Sequence, residues 1–300
     1  MRIFITGANG FVGSAIVREL IGAGHAVLGL ARSDAAAASV AALGAEVHRG
    51  ELADDESLRR GAASADCVIH TAFHHDRANP GSGRANFQAS CDLDARAVRA
   101  MGDALVGSNK HLVVTSGTPS PTGRAALETD PPPTMIPRIS EQTAHAFVDR
   151  GVRVTAVRLP RCVHVAGGPY GFTTVMMDIA ARTGVSAYVG DGASRWCAVH
   201  RDDAARLYRI VVEKPATGTL HAIGEQGVPQ RAIAEAIGKR LNLPVISLAP
   251  DKVADHFGTF AMFAQLDSLA SSEVTQKALG WSPSGPGLIE DIVTDRATAH

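Results

Sequence analysis

Short apolar runs alternate with amphipathic stretches over the first half of this chain. Ile3-Phe4-Ile5 is a compact buried-strand pattern. From Val12 the apolar positions fall at Val12, Ile16, Val17, Leu20 and Ile21, one face of a helix, and Gly22 and Gly24 predict its end. The pattern then predicts a second strand over His25–Leu30, a third centred on Val47, and a helix over Asp54–Ala62. Cys67-Val68-Ile69 reads as a fourth strand. Phe87, Cys91, Val98, Met101 and Leu105 carry the spacing of a long helix, and His111–Thr115 reads as a fifth strand. Prolines break Pro119–Pro137 into loop. A helix is expected over Ile139–Arg150, ended by Gly151, and a sixth strand over Val152–Val157.

Strands alternating with helices predict a parallel sheet covered on both faces, an α/β doubly wound Rossmann architecture. Beyond Leu159 the order is mixed. Helices are expected over Phe172–Arg182, Asp202–Glu213 and Gln230–Leu241, and along 251–266, where Val253, Phe257, Phe260 and Phe263 keep helical spacing. Val185–Val189 reads as extended, and Leu220–Ile223 as a return to the sheet. The expected organisation is a dinucleotide lobe over 1–165 and a smaller C-terminal substrate lobe over 166–300. Segments near 200–225 rejoin the first lobe.

The strand-to-helix turn Thr6-Gly7-Ala8-Asn9-Gly10-Phe11-Val12-Gly13 carries the strongest chemistry in the chain. Gly7 permits a sharp turn, Gly10 a close backbone approach to an anion, and Gly13 close packing of the helix on the sheet. The amides and positive dipole end of the helix then face a pyrophosphate, so a dinucleotide cofactor is the expected ligand.

Composition excludes several other classes. Apolar residues make up 45% and charged residues 20% of 300, enough for a large core with a soluble surface. A net charge of -1 gives no reason to expect a nucleic-acid partner. No apolar run predicts a membrane span, and Met1-Arg2 leads directly into the first strand without a secretory pattern, so a cytoplasmic location is expected. Cys67, Cys91, Cys162 and Cys197 are widely separated and predict buried thiols. His70, His74, His75 and Asp76 cluster but straddle a strand and a loop, so no metal is expected. Oligomeric state is left open, a homodimer included.

Six motifs occur in the order seen in extended short-chain dehydrogenases, and the chain resembles that group, which includes the NAD-dependent epimerase/dehydratase proteins. They are Thr6–Gly13, Gly50-Glu51-Leu52, His70-Thr71-Ala72, Thr115-Ser116, Gly190-Asp191-Gly192 with Arg195, and Leu279-Gly280-Trp281-Ser282-Pro283. The resemblance implies a Rossmann lobe, a small substrate lobe and an active site in the cleft between them. It also implies that Glu51 and Leu52 flank the adenine. Ala72 and Phe73 would lie along the cofactor near the nicotinamide ribose, and Pro160 would approach the nicotinamide from the other side.

The end of the second strand bears on the choice of cofactor. A carboxylate there would accept from ribose hydroxyls and repel a 2′-phosphate. The chain instead has Arg32 and Ser33, a fork and a hydroxyl suited to that phosphate, with Asp34 just beyond. NADP is therefore favoured over NAD.

The family's Tyr-x-x-x-Lys pair is missing. Pro137 takes the tyrosine place and Glu141 the lysine place, and no lysine lies between Lys110 and Lys214. Three readings stay open. The first is NADP-dependent oxidoreduction of a small carbonyl, imine or activated alkene. In this reading Ser116 or Thr118 holds the substrate oxygen, and Tyr170, His74 or His75 supplies a proton. Ser116 and Tyr170 are the expected catalytic residues. Phe172, Met176, Phe257, Phe260 and Phe263 suggest a fairly apolar substrate, although lobe core explains them equally well. The second reading is a cofactor-binding sensor or scaffold without turnover. The third is a sugar-nucleotide enzyme using Arg195, weakened because Arg161 replaces the asparagine such enzymes carry. The first is preferred.

Overall fold

The computed structural model describes residues 1–74, 83–134, 136–214 and 216–294. The chain forms two compact units. The first comprises Met1–Ser116, Pro132–Arg158 and Ala205–Leu220, and the second Gly117–Pro131, Leu159–Ala204 and His221–His300.

The first unit opens with β1 (Arg2–Thr6), α1 (Phe11–Gly22), β2 (Ala26–Ala31), α2 (Asp34–Ala42), β3 (Glu46–Arg49) and α3 (Asp55–Ala63). It continues through β4 (Cys67–His70), α4 (Gly83–Leu105), β5 (His111–Gly117), α5 (Ser140–His145) and β6 (Arg153–Leu159). Later in the chain come β7 (Cys162–His164), α6 (Phe172–Thr183), β8 (Ser186–Val189), β9 (Arg195–His200), α7 (Arg201–Glu213) and β10 (Gly218–His221). The order ends with β11 (Glu225–Pro229), α8 (Gln230–Leu241), β12 (Val245–Leu248) and short helices over Val253–Phe257, Ala261–Ala264, Glu273–Leu279 and Leu288–Thr294.

Seven strands make one parallel sheet in the order β10-β6-β5-β4-β1-β2-β3. The Rossmann expectation is met, and the return near residue 220 is the edge strand β10. Ile3, Phe4 and Ile5 are fully buried because a parallel sheet is covered on both faces. Strand order reverses between β1 and β4, which pair in register with Ile5 opposite Ile69 and Thr6 opposite His70. The carboxyl ends at such a reversal are where ligands settle in open α/β sheets. On one face Phe4, Val68, Leu112 and Val114 pack with Leu58, Val98, Met101, Leu105 and Phe147, which come from α3, α4 and the α5 segment.

Glycine sets how closely α1 approaches the sheet. Gly7 has φ 77°, and a Cβ there would lie 2.8 Å from the Ala72 amide nitrogen. A Cβ on Gly13 would lie 1.9 Å from the Gly7 carbonyl oxygen. Neither contact is tolerable, so the roles read for Gly7 and Gly13 are those the backbone requires.

In the second unit, β11, β9 and β7 form one sheet and β12 pairs with β8 in another. Its core gathers Tyr170, Met176, Trp196, Ile233, Phe257, Phe260 and Leu288. Phe172 packs edge-on against Trp196, Phe260 and Phe263. The aromatic set expected to line a substrate site is therefore core, and it gives no reason to infer an apolar substrate. The motif Leu279–Pro283 is also structural. Gly280 ends a helix at φ 66°, and buried Trp281 donates from Nε1 to the Asp203 carbonyl at 3.0 Å.

Two helix expectations change. The helix expected along 251–266 breaks at Gly258, whose φ 54° and ψ −129° no helix accepts. The helix expected over Ile139–Arg150 is regular only to His145 and closes in a 3-10 turn at Val148–Arg150. Strands β7, β9, β11 and β12 were not expected. Three to six residues each, they are too short for periodicity to distinguish from loop.

Replacing Gly13 by Ala is expected to lower unfolding free energy by about 2–4 kcal/mol through the clash with Gly7. Gly22→Ala, with nothing within 4 Å of its Cβ position, is the control and is expected to be neutral or slightly stabilising. Urea denaturation of the two variants checks this.

Candidate active site

At the carboxyl end of β1 the Gly10 amide donates to the Gly7 carbonyl at 2.9 Å, closing the glycine turn. Gly10, at the start of α1, has no side chain of its own to cap it, and the positive end of this 12-residue helix lies at the switch point. Asn9 and Gly10 are exposed and Phe11 and Val12 partly so, while Gly13 is buried against the loop. The Thr71 hydroxyl donates to the Thr6 carbonyl at 2.9 Å and ties the end of β4 to this turn. Ala72 and Phe73 follow, each partly buried.

Arg32 is exposed at the end of β2 and has no partner among the described residues. Ser33 caps α2, its hydroxyl oxygen accepting from the Ala36 amide at 3.2 Å, so its own proton remains available. Asp34 is held by Arg49 at 2.5 Å. Its charge is thus offset by a neighbouring strand end. Glu51 is exposed, and Leu52 packs against the core of the first unit. Pro160 is buried in the second unit between β6 and β7.

A polar chain runs from this turn into the helices. The Ala72 amide donates to Thr6 Oγ1 at 3.4 Å, and that hydroxyl meets His70 Nδ1 at 2.7 Å. His70 Nε2 lies 3.3 Å from Asp94 Oδ1 on α4. With the ring proton on Nε2, the chain runs from Ala72 through Thr6 and His70 to the carboxylate. Asp94 also accepts from Arg138 Nη2 at 3.0 Å and from the Ser140 hydroxyl. Burial pushes the Asp94 carboxyl up. The His70 and Ser140 hydrogen bonds and the Arg138 charge outweigh it and hold the pKa at about 2. Sequence reasoning did not find Asp94, Arg138 or Ser140 as a group, because 44 to 46 residues separate the carboxylate from its partners.

The structure explains the fate of the missing pair. Glu141, at the lysine place, is buried and accepts a two-pronged hydrogen bond from buried Arg158, Nη2 to Oε1 at 2.7 Å and Nε to Oε2 at 3.0 Å. Thr219 adds a third at 3.1 Å. The carboxylate is fully committed to structure.

Ser116 is the one expected catalytic residue with a free group. It lies at the carboxyl end of β5 and, by strand alternation, on the same face as Leu112 and Val114. Its hydroxyl has no hydrogen bond among the described residues. Thr118 is buried, its hydroxyl beside Cys197 Sγ at 3.7 Å. The expected role of Tyr170 is corrected. Its ring is core, and its hydroxyl donates to the Asp291 carbonyl at 3.4 Å and accepts from Arg240 at 3.1 Å. Tyr208 is no substitute, since burial drives its pKa upward and Thr115 holds its hydroxyl at 2.7 Å. His74 is exposed, while His75 and Asp76 lie outside the described residues. Among the described residues no group of His, Cys, Asp and Glu is placed to hold a metal. The four thiols are buried and free. No described helix is long and apolar enough to cross a membrane.

The profile of the NAD dependent epimerase/dehydratase family matches residues 3–224. The chain belongs to this family. An uncharacterized protein of Schizosaccharomyces pombe is 42% identical over 300 residues, covering 98% of this chain and 99% of the relative. A 2-alkyl-3-oxoalkanoate reductase of Stenotrophomonas maltophilia is 32% identical over 237 residues, covering 73% and 67%. The structure of a UDP-glucose 4-epimerase of Thermus thermophilus in complex with NAD superimposes with TM-score 0.73 at 20% identity, covering all of both chains, which establishes a shared fold. The extended short-chain dehydrogenase resemblance is therefore sound, and the family is one of NAD(P)-dependent proteins.

Glu141→Ala strands the buried Arg158 charge and is expected to cost about 3–5 kcal/mol, whereas Glu141→Leu with Arg158→Met recovers most of it. Urea unfolding of the three proteins checks this. Asp94 gives an acid signature. Its folded pKa of about 2 lies below the usual 3.8, so between those pH values the unfolded chain binds more protons. Stability is expected to fall by about 2 kcal/mol as pH drops through that window. In Asp94→Asn that fall is absent, as urea titrations at pH 5 and at about pH 2 would show.

Proposed function

We propose that this protein is an NADP-dependent reductase of a small carbonyl compound. The observation that carries the reading is the pairing of a complete glycine cradle with an unpartnered Arg32 at the end of β2. Gly7, Asn9, Gly10, Phe11, Val12 and Gly13 would hold the pyrophosphate. Arg32 and Ser33 would take the 2′-phosphate, and the Asp34–Arg49 pair supports this by offsetting the carboxylate next in sequence. Glu51 and Leu52 would flank the adenine, and Ala72, Phe73 and Pro160 the nicotinamide ribose and ring. When bound, such a cofactor supplies a hydride.

The Stenotrophomonas maltophilia relative, by name a reductase of 2-alkyl-3-oxoalkanoates, supports a carbonyl as substrate. Ser116 would donate to its oxygen. The lack of the family's Tyr and Lys favours carbonyls activated by a neighbouring electron-withdrawing group, and equally imines or activated alkenes. A cytoplasmic location accords with four free thiols. The sugar-nucleotide reading is less favoured, because its main residue is already engaged. Arg195 is bound to Asp267 through its backbone amide at 2.7 Å and its guanidinium at 3.2 Å.

Titrating wild type and Arg32→Ala with NADPH and NADH tests the cofactor. The variant is expected to lose about tenfold or more in NADPH affinity, about 1.4 kcal/mol, with NADH unchanged. Equal NADPH affinity in the two proteins would sink the assignment. Loss of NADPH absorbance with 3-oxo esters, imines and nitroalkenes tests turnover, and tight NADPH binding without turnover on any of them favours a sensor.

A further inference from the structure

We propose that Arg138 binds the substrate oxygen as it becomes negative, the task left open by the missing tyrosine. This rests on the reductase reading above. Arg138 follows Pro137 and precedes α5, and its side chain is only 17% exposed. Nε donates to Ser140 Oγ at 2.9 Å and Nη2 to Asp94 Oδ1 at 3.0 Å. Its guanidinium carbon lies 4.6 Å from the centroid of the Phe73 ring. The plane is thus fixed by two hydrogen bonds and one stacked ring. Nη1 has no hydrogen-bond partner among the described residues, and its two N–H groups form the open edge of the fork.

The residues around Arg138 belong to the end of the sheet where the cofactor and a carbonyl are expected. Phe73 belongs to the loop after β4, expected along the cofactor. Asp94 joins the guanidinium to His70 at the end of β4. His70 is registered with Val114 on β5, and Ser116 lies two residues further on the same face, about 7 Å along the strand. Arg138 and the free Ser116 hydroxyl thus belong to the polar rim on one face of the sheet, at the carboxyl ends of adjacent strands.

The chemistry suits a guanidinium rather than an acid. Hydride adds to the carbonyl carbon, with a reduced nicotinamide dinucleotide as its source. The π pair moves to oxygen, and the resulting oxyanion accepts from Nη1 of Arg138 and from Ser116. A guanidinium serves here as a hydrogen-bond donor and not as an acid, so the final proton comes from water, leaving hydroxide to the buffer. Asp94 balances the buried charge and sets the orientation. A donor fixed before the reaction needs no reorganisation when charge develops.

Acetate, a small planar monoanion, serves as probe. It is titrated by calorimetry into NADP-saturated wild type, Arg138→Lys and Arg138→Gln, with melting temperature and NADPH affinity measured alongside. Saturable binding is expected in wild type, weakened about tenfold or more in Arg138→Gln and partly kept in Arg138→Lys, with NADPH affinity unchanged. Reduction is expected to slow about 100-fold or more in Arg138→Gln, mostly in kcat. Equal acetate affinity in wild type and Arg138→Gln, or no saturable acetate binding to wild type, overturns the proposal. Should Arg138→Gln not fold, acetate affinity in Arg138→Lys equal to wild type does the same, because a lysine ammonium cannot hold Asp94 and present a free fork. Arg138-dependent acetate binding in a wild type that reduces no carbonyl supports the anion site and overturns only the reductase reading.

Discussion

The first turn of α1 lies against the end of β1 because Gly13 lets one backbone meet another. The space a Cβ would fill is already taken by the Gly7 carbonyl. That contact brings the helix end down onto the sheet, and the Thr71 hydroxyl pins β4 to the same turn. The strand order reverses at this point. The glycine turn, the switch point of the sheet and the start of the polar chain through Thr6 and His70 therefore coincide, and all three follow from one steric allowance.

Two buried carboxylates then divide the work on the α4–α5 face. Glu141 is closed off by Arg158, both partners almost wholly buried, and the fork-to-fork pair together with the Thr219 hydroxyl ties the carboxylate to structure. Asp94 does the opposite. It takes one edge of Arg138, leaves another edge free and is steadied by His70 and Ser140. Burying either charge alone would cost several kcal/mol, so each carboxylate requires its arginine. The departure from the family's Tyr-x-x-x-Lys pattern is thus an exchange of charges. The lysine place has become an anion held by an arginine, and the residue after the tyrosine place has become a cation held by an anion.

Much of this was legible along the chain. Continuous apolar runs marked β1, β4 and β5, and helical stripes marked α1, α4, α6 and α8, because those elements bury one or both faces over several residues. The glycine spacing announced the tight turn, since only glycine fits where backbone meets backbone. Local signals failed where tertiary packing decides. Tyr170 and the phenylalanines 172, 257, 260 and 263 carry no mark in sequence that separates a pocket lining from a core, and the fold made them core. Gly258 broke a stripe of helical spacing because periodicity records which positions are apolar and not which dihedrals they adopt.

The sequence by itself determined the doubly wound sheet, the place of the glycine turn, the basic end of β2 and the absence of the Tyr-Lys pair. These are properties of neighbouring residues, or of a residue type that is simply not there. The tertiary structure decided which polar side chains are spent and which are free. Asp94 and Arg138, Glu141 and Arg158, and Arg195 and Asp267 lie 17 to 72 residues apart. No short-range rule links them, because hydrogen bonds form between atoms that folding brings within about 3 Å, whatever their separation along the chain.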